Sequence, residues 1–239
     1  MRTRIRKALV IIALLLFPIT LNFFSPYVPI AGAMNGIIAG SLLLFMFMFV
    51  TAIFFGRAWC SWVCPMACLS EMCQGVNNKK VNVNRLKFIR FLIFFVWVSF
   101  VIAMFVIAGG IKGVDPLYLT GNGISVDSPG KFIIYYFVLA LFFILSITIG
   151  KRGACHSICW MSPFLAGGYT IGRWLKISQL RIKADPSLCV NCGACDKKCP
   201  MSIEVSLSVK DGSIETSDCI FCGECVDHCK KKALRYGVR

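Results

Sequence analysis

CVNCGACDKKCP at residues 189–200 and CIFCGECVDHCK at residues 219–230 carry eight of the chain's fourteen cysteines in one repeated spacing. In each run two residues separate the first three cysteines and three residues precede the fourth; Pro200 closes the first run and Lys230 stands in its place in the second. Thiolates set this closely grip three corners of one iron–sulfur cubane, while the displaced fourth reaches the cubane of the other run. The pattern therefore assigns Cys189, Cys192, Cys195 and Cys229 to one [4Fe-4S] cluster, and Cys219, Cys222, Cys225 and Cys199 to a second. Zinc favours two separated cysteine pairs instead. Between the runs, MSIEVSLSVKDGSIETSD (residues 201–218) alternates polar and apolar around Asp211-Gly212, which predicts a hairpin.

Upstream of these runs the composition changes. The 239-residue chain is 57% hydrophobic, with a mean hydropathy of +0.74, well above an ordinary soluble domain. Four stretches, about 8–24, 34–55, 88–108 and 131–149, approach the roughly 20 apolar residues that a bilayer requires. Apart from Lys131 at the first position of the fourth, Arg90 is the one charge inside them. Basic residues gather in the N-terminal tail and after the second stretch, whereas 25–33 is uncharged, so the positive-inside bias predicts cytoplasmic termini. The expectation is a four-helix transmembrane bundle over residues 1–179, in an inner (cytoplasmic) membrane, joined to an α+β unit over 180–239 that faces the cytoplasm. All fourteen cysteines then face a reducing compartment, which points to metal ligation in place of disulfides.

GRAWCSWVCP (56–65) and KRGACHSICWMSP (151–163) each follow an apolar stretch and each carry a C-x3-C pair, Cys60/Cys64 and Cys155/Cys159. Both pairs emerge on the same predicted side, so the four thiols can meet. Such a set would hold a third iron–sulfur cluster or another soft metal such as copper, or cycle between dithiol and disulfide; the alternative is plain packing at helix ends. Pro65 disfavours helix at Cys64, so Cys60, Cys64 and Cys68 are not expected on one helical face, and Cys68 and Cys73 read as packing residues. His156 reads as a hydrogen-bonding surface residue, and Trp59, Trp62, Trp160 and Trp174 as interfacial anchors. Gly36 and Gly40 are candidates for close helix packing.

Residues 180–239 closely resemble the two-cluster bacterial-type ferredoxin domain. With GRAWCSWVCP and the second C-x3-C, nearly the whole chain resembles the NapH-type membrane polyferredoxins, although Trp160 replaces the proline expected after Cys159. The resemblance implies an electron-transfer subunit, a possible quinol dehydrogenase component, passing electrons between the quinone pool and redox partner proteins. It also implies an alternative, since a relative acts as a copper reductase in oxidase maturation; a further alternative is a structural anchor for other subunits.

Other classes are disfavoured. The two histidines, His156 and His228, lie outside the apolar stretches, so no membrane haem is expected. A pump would place ionisable residues in its spans. The formal charge of +15 is spread over loops, with no nucleic-acid recognition motif. In 180–239 a formal +2 is outweighed by about −2 from each oxidised thiolate-ligated cubane.

Overall fold

A computed structural model describes residues 2–238. Helices α1 (Arg2–Leu15) and α2 (Phe17–Phe24) meet at 85°. Pro18 lies in the first turn of α2, where its missing N–H and fixed φ suit a helix start but cannot continue the previous one. Then come α3 (Tyr27–Met34), strand β1 (Ile37–Ala39) and α4 (Gly40–Phe55). Two short helices follow, α5 (Trp59–Trp62) and α6 (Pro65–Cys73), and Cys64 between them is extended, as Pro65 requires.

The two longest helices are α7 (Val83–Ile107) and α8 (Pro129–Ile149), separated by strand β2 (Gly113–Asp115). The Asn82 side chain accepts a hydrogen bond from the Arg85 amide (3.3 Å) and caps α7; α8 opens on Pro129. Both present Phe, Ile, Leu and Val side chains outward, among them Phe95, Val96, Ile133 and Phe137, each more than 60% exposed. In water so large an apolar surface would be a liability, whereas a bilayer covers it. After α8 come α9 (Gly153–Ser157) and α10 (Met161–Trp174).

Among the described residues, two helices are long and apolar enough to cross a membrane, or three if the bent α1–α2 pair is one span. The expected four-span bundle is therefore present only in part. The stretch expected at 34–55 divides into β1 and the 16-residue α4, because Gly36 turns the chain at φ 71° and β1 pairs in parallel with β2. Nor do Gly36 and Gly40 share a helix face. The close helix contact is made by α10 on α4, where a Cβ on Gly168 would lie 2.4 Å from the Phe49 carbonyl oxygen and one on Gly172 2.5 Å from that of Ile53.

The C-terminal unit is a three-stranded antiparallel sheet in the order β4 (Ser213–Ile214), β3 (Leu180–Ala184), β5 (Leu234–Val238), with helices α11 (Ala194–Lys198), α12 (Val205–Ser208) and α13 (Glu224–Asp227) beside it. Pairs Leu180↔Val238 and Ala184↔Leu234 tie its ends together, and Ile182 pairs with both Ile214 and Tyr236. The hairpin expected around Asp211-Gly212 does not form. Val205 and Val209 bury together one helical turn apart, and Asp196 accepts bonds from the Ser206 amide (2.8 Å) and hydroxyl (2.5 Å), which winds 205–211 into helical turns. An alternating pattern also contained an i, i+4 pair, and the tertiary contact selected the second reading.

Gly168→Ala should lower the melting temperature of the purified protein, because the Phe49 backbone cannot move aside; overpacking of this kind costs about 1–3 kcal/mol. Gly167→Ala, whose added carbon would meet only the Phe49 ring at 3.6 Å, should leave it unchanged. Equal melting of the two variants would contradict the packing.

Candidate iron–sulfur and membrane-edge thiol sites

The two cysteine runs repeat in backbone as well as in sequence. Asn191 and Gly193 flank Cys192 with φ of 52° and 66°; Phe221 and Gly223 flank Cys222 with 52° and 81°. Ser202 and Lys232, each three residues past a fourth cysteine, repeat again at 56° and 53°. Successive residues in such curled conformations turn their amide N–H groups to one side and form a concavity that favours an anion.

Cys189, Cys192, Cys195 and Cys229 line one cavity of this unit, and Cys199, Cys219, Cys222 and Cys225 line another. The fourth cysteine of each run thus sits in the other run's cavity. Burial pushes the thiols up, Cys219 to about 12 and Cys222 to about 11, with neighbouring cysteines adding to the effect. Left to themselves such groups stay protonated, and a cationic iron core that binds them as thiolates removes the cost. No three His, Cys, Asp or Glu groups among the described residues converge on one ion. Ligands of a cubane stand around its corners, and four cysteines around each of two cavities fit that requirement.

Cys60, Cys64, Cys155 and Cys159 come together as well. All four line a cavity of about 440 Å³ with Trp59, Trp160, Phe17, Phe142 and other apolar side chains. Burial raises Cys159 to about 12, and the nearby Cys155 and Cys60 work in the same direction. Cys68 and Cys73 are buried apart from this cavity, at 6% and 2% exposure.

Sequence reasoning missed what surrounds the thiols. Arg6, Arg57, Arg90 and Arg152 are each no more than 1% exposed. Arg57 (3.1 Å) and Arg90 (3.0 Å) donate to one oxygen of Asp218, the residue before Cys219. Arg6 donates to Glu71 (2.5 Å) and Glu224 (2.9 Å), and Arg152 to Glu71 (2.6 Å) and the Cys60 carbonyl (2.8 Å). Although burial works against their charge, the arginines hold Asp218 and Glu71 below the usual carboxylate range. Three carboxylates face four guanidiniums, and the Nε of all four, with Arg57 Nη2 and Arg90 Nη1, have no partner. Buried cations left short of partners are costly. Anionic thiolate-bound clusters at their side would supply the missing charge. The available signal was the arginine in an otherwise uncharged span.

Two smaller expectations are corrected. His156 is fully buried with neither ring nitrogen partnered, and burial, reinforced by Arg57 and Arg90, pushes it down to about 3, so it is neutral. Of the four tryptophans only Trp174 is strongly exposed, at 81%. Trp59 donates to Thr51 (2.9 Å), Trp160 to the Phe24 carbonyl (3.2 Å) and Trp62 to that of Phe221 (3.4 Å).

Two families of known proteins match the regions that hold these cysteines. A 4Fe-4S dicluster domain model matches residues 181–230, and a 4Fe-4S binding domain model matches 37–84. An uncharacterized protein of Methanocaldococcus jannaschii is 28% identical, over 89% of this chain and 79% of its own length. The ferredoxin-type protein NapH of Haemophilus influenzae is 26% identical over 79% and 64%, and the methylamine utilization ferredoxin-type protein MauN of Paracoccus denitrificans 25% over 86% and 70%. No solved structure matches. The chain is an iron–sulfur protein of the ferredoxin type that carries two [4Fe-4S] clusters and associates with membranes through its apolar helices. The particular family these matches support is that of the NapH-type polyferredoxins.

Asp218→Asn should release the C-terminal unit from the membrane helices, because it strips two buried guanidiniums of their carboxylate at a cost of about 3–5 kcal/mol. Limited proteolysis between α10 and β3 should then quicken, while Asp211→Asn, at an exposed position, should not change it. Equal cleavage in both variants would contradict the role given to Asp218.

Proposed function

We propose that the protein is a membrane-anchored relay for single electrons, with a third iron–sulfur site at Cys60, Cys64, Cys155 and Cys159 beside the two ferredoxin-type clusters. The observation that carries this reading is the convergence of those four cysteines, from two separate motifs, on one cavity. The 4Fe-4S model over 37–84 includes the first pair.

When bound, the clusters accept and release one electron at a time; the chain places and tunes them. Cys189, Cys192, Cys195 and Cys229 hold one, and Cys219, Cys222, Cys225 and Cys199 the next. Two tethers fix this second set against the membrane-edge thiols: Ser61, next to Cys60, donates to the Ile220 carbonyl (2.6 Å), and Arg57 bonds Asp218. The buried arginines lower the energy of added negative charge and so favour reduction. Gly56, at φ 58°, lets the chain pass the Phe221 ring, which a Cβ would approach to 2.6 Å.

The cavity also suits a lipid-soluble redox partner of the quinone class. Its lining is almost wholly apolar and runs from the thiols past Phe142 and Val138 to Ser25, Tyr27 and Lys131 at the opposite end of α8. A quinol entering from the bilayer would meet the membrane-edge site directly. Residues 1–179 then form the membrane domain and residues 180–239 the cytoplasmic unit, in an inner membrane with both termini on the cytoplasmic side.

Anaerobically purified protein should contain about twelve irons per chain, as three cubanes require. The double substitution Cys60→Ser/Cys155→Ser should lower this to about eight and leave the electron paramagnetic resonance of the ferredoxin pair intact. Cys199→Ser should disturb the cluster of the second run, and Cys229→Ser that of the first. About eight irons in the wild type, unchanged by the double substitution, would reject the third site.

A further inference from the structure

A second large cavity, of about 410 Å³, lies on another side of the molecule, where α1, α6, the turn after α8 and the C-terminal unit meet. Five cationic side chains line it: Arg6, Lys7, Lys151, Lys197 and Lys198. Its two carboxylates, Glu71 and Glu224, are already engaged by buried arginines. The only lysine ion pairs among the described residues are Lys87–Asp218 and Lys131–Asp127, so all four lysines of the cavity lack an anionic partner. Lys151 is 3% exposed, its ammonium bonded to the Lys197 and Cys199 carbonyls, and Arg6, 1% exposed, keeps an unpartnered Nε. Buried cationic donors of this kind make an anion site, and the exposed Lys7, Lys197 and Lys198 can close over it.

The other wall is apolar. Val10 and Ile11 of α1 continue the cavity towards the outer face of that helix, where Ile11 is 49% exposed, and Met72 at the rim is 68% exposed. A ligand that satisfies both walls has an anionic head and an apolar tail. We propose that this cavity binds a phosphate-bearing ligand with the chemistry of an anionic phospholipid headgroup, the phosphate on the lysines and the acyl chain along Val10 and Ile11. Five chain segments from both halves of the molecule contribute, so an occupied site would also clamp the C-terminal unit to the membrane helices. The site does not depend on a third cluster or on quinone.

The test uses the full chain with its clusters, in nanodiscs of phosphatidylcholine containing graded phosphatidylglycerol, with lipid retained after detergent extraction read by native mass spectrometry. The wild type should keep about one phosphatidylglycerol. Near a membrane surface each lysine contributes about 1 kcal/mol towards an anionic lipid, so K197Q/K198Q should weaken retention about thirtyfold and K7Q about fivefold. K176Q/K210Q, two exposed lysines outside the cavity, should retain lipid as the wild type does. Cluster absorbance in each variant reports whether it has folded. Equal retention in K197Q/K198Q and the wild type, or equal loss in K176Q/K210Q, would overturn the proposal. In lipid-free detergent, protection by inorganic phosphate or glycerol phosphate that K197Q/K198Q abolishes would uphold the phosphate site and assign it to a soluble ligand.

Discussion

Four guanidiniums buried at the joint between membrane helices and C-terminal unit constrain everything around them. Taking Arg6, Arg57, Arg90 and Arg152 out of water is tolerable only if each finds an anion, and they come from four separate parts of the chain. Glu71, Asp218 and Glu224 supply part of the charge. Because Asp218 is next to Cys219 and Glu224 next to Cys225, the same ion pairs that join the two halves fix where the second cysteine run sits.

From that joint the rest of the architecture follows. Arg57 and Arg152 each stand three residues ahead of the first cysteine of a C-x3-C motif, so anchoring the arginines brings the two motifs to one place. Ser61 and Trp62, inside the first motif, bond the Ile220 and Phe221 carbonyls of the second ferredoxin run. These bonds hold the first C-x3-C motif against the second ferredoxin run, and Cys60 packs on the core that contains Cys219, Cys222 and Cys225. Helix α10, packed on α4 through Gly168 and Gly172, closes the side of the domain.

The cysteine runs were legible because cluster ligation is encoded in local spacing, and the left-handed residues around Cys192 and Cys222 show the backbone following it. The break at Cys64 was legible for a similar reason, since Pro65 acts on its immediate neighbour. Elsewhere periodicity allowed two answers. Residues 201–211 read as a strand until Asp196 and the core beside Val205 and Val209 made them helical. The stretch 34–55 read as one span until β1 paired with β2, a partner about 75 residues away that no local pattern indicates.

By itself the sequence determined the kind of chemistry: two cysteine runs spaced for 4Fe-4S ligation, an apolar portion fit for a bilayer, and two C-x3-C motifs in equivalent settings. Each rests on spacing or composition within a short window. Only the tertiary structure decided that His156 is buried and neutral, that Trp59 and Trp160 line a cavity, and that four arginines are withdrawn from solvent beside the thiols. Those outcomes depend on desolvation and on which distant charge lies within about 3 Å, quantities set by the packing of several elements together and carried by no single stretch of chain.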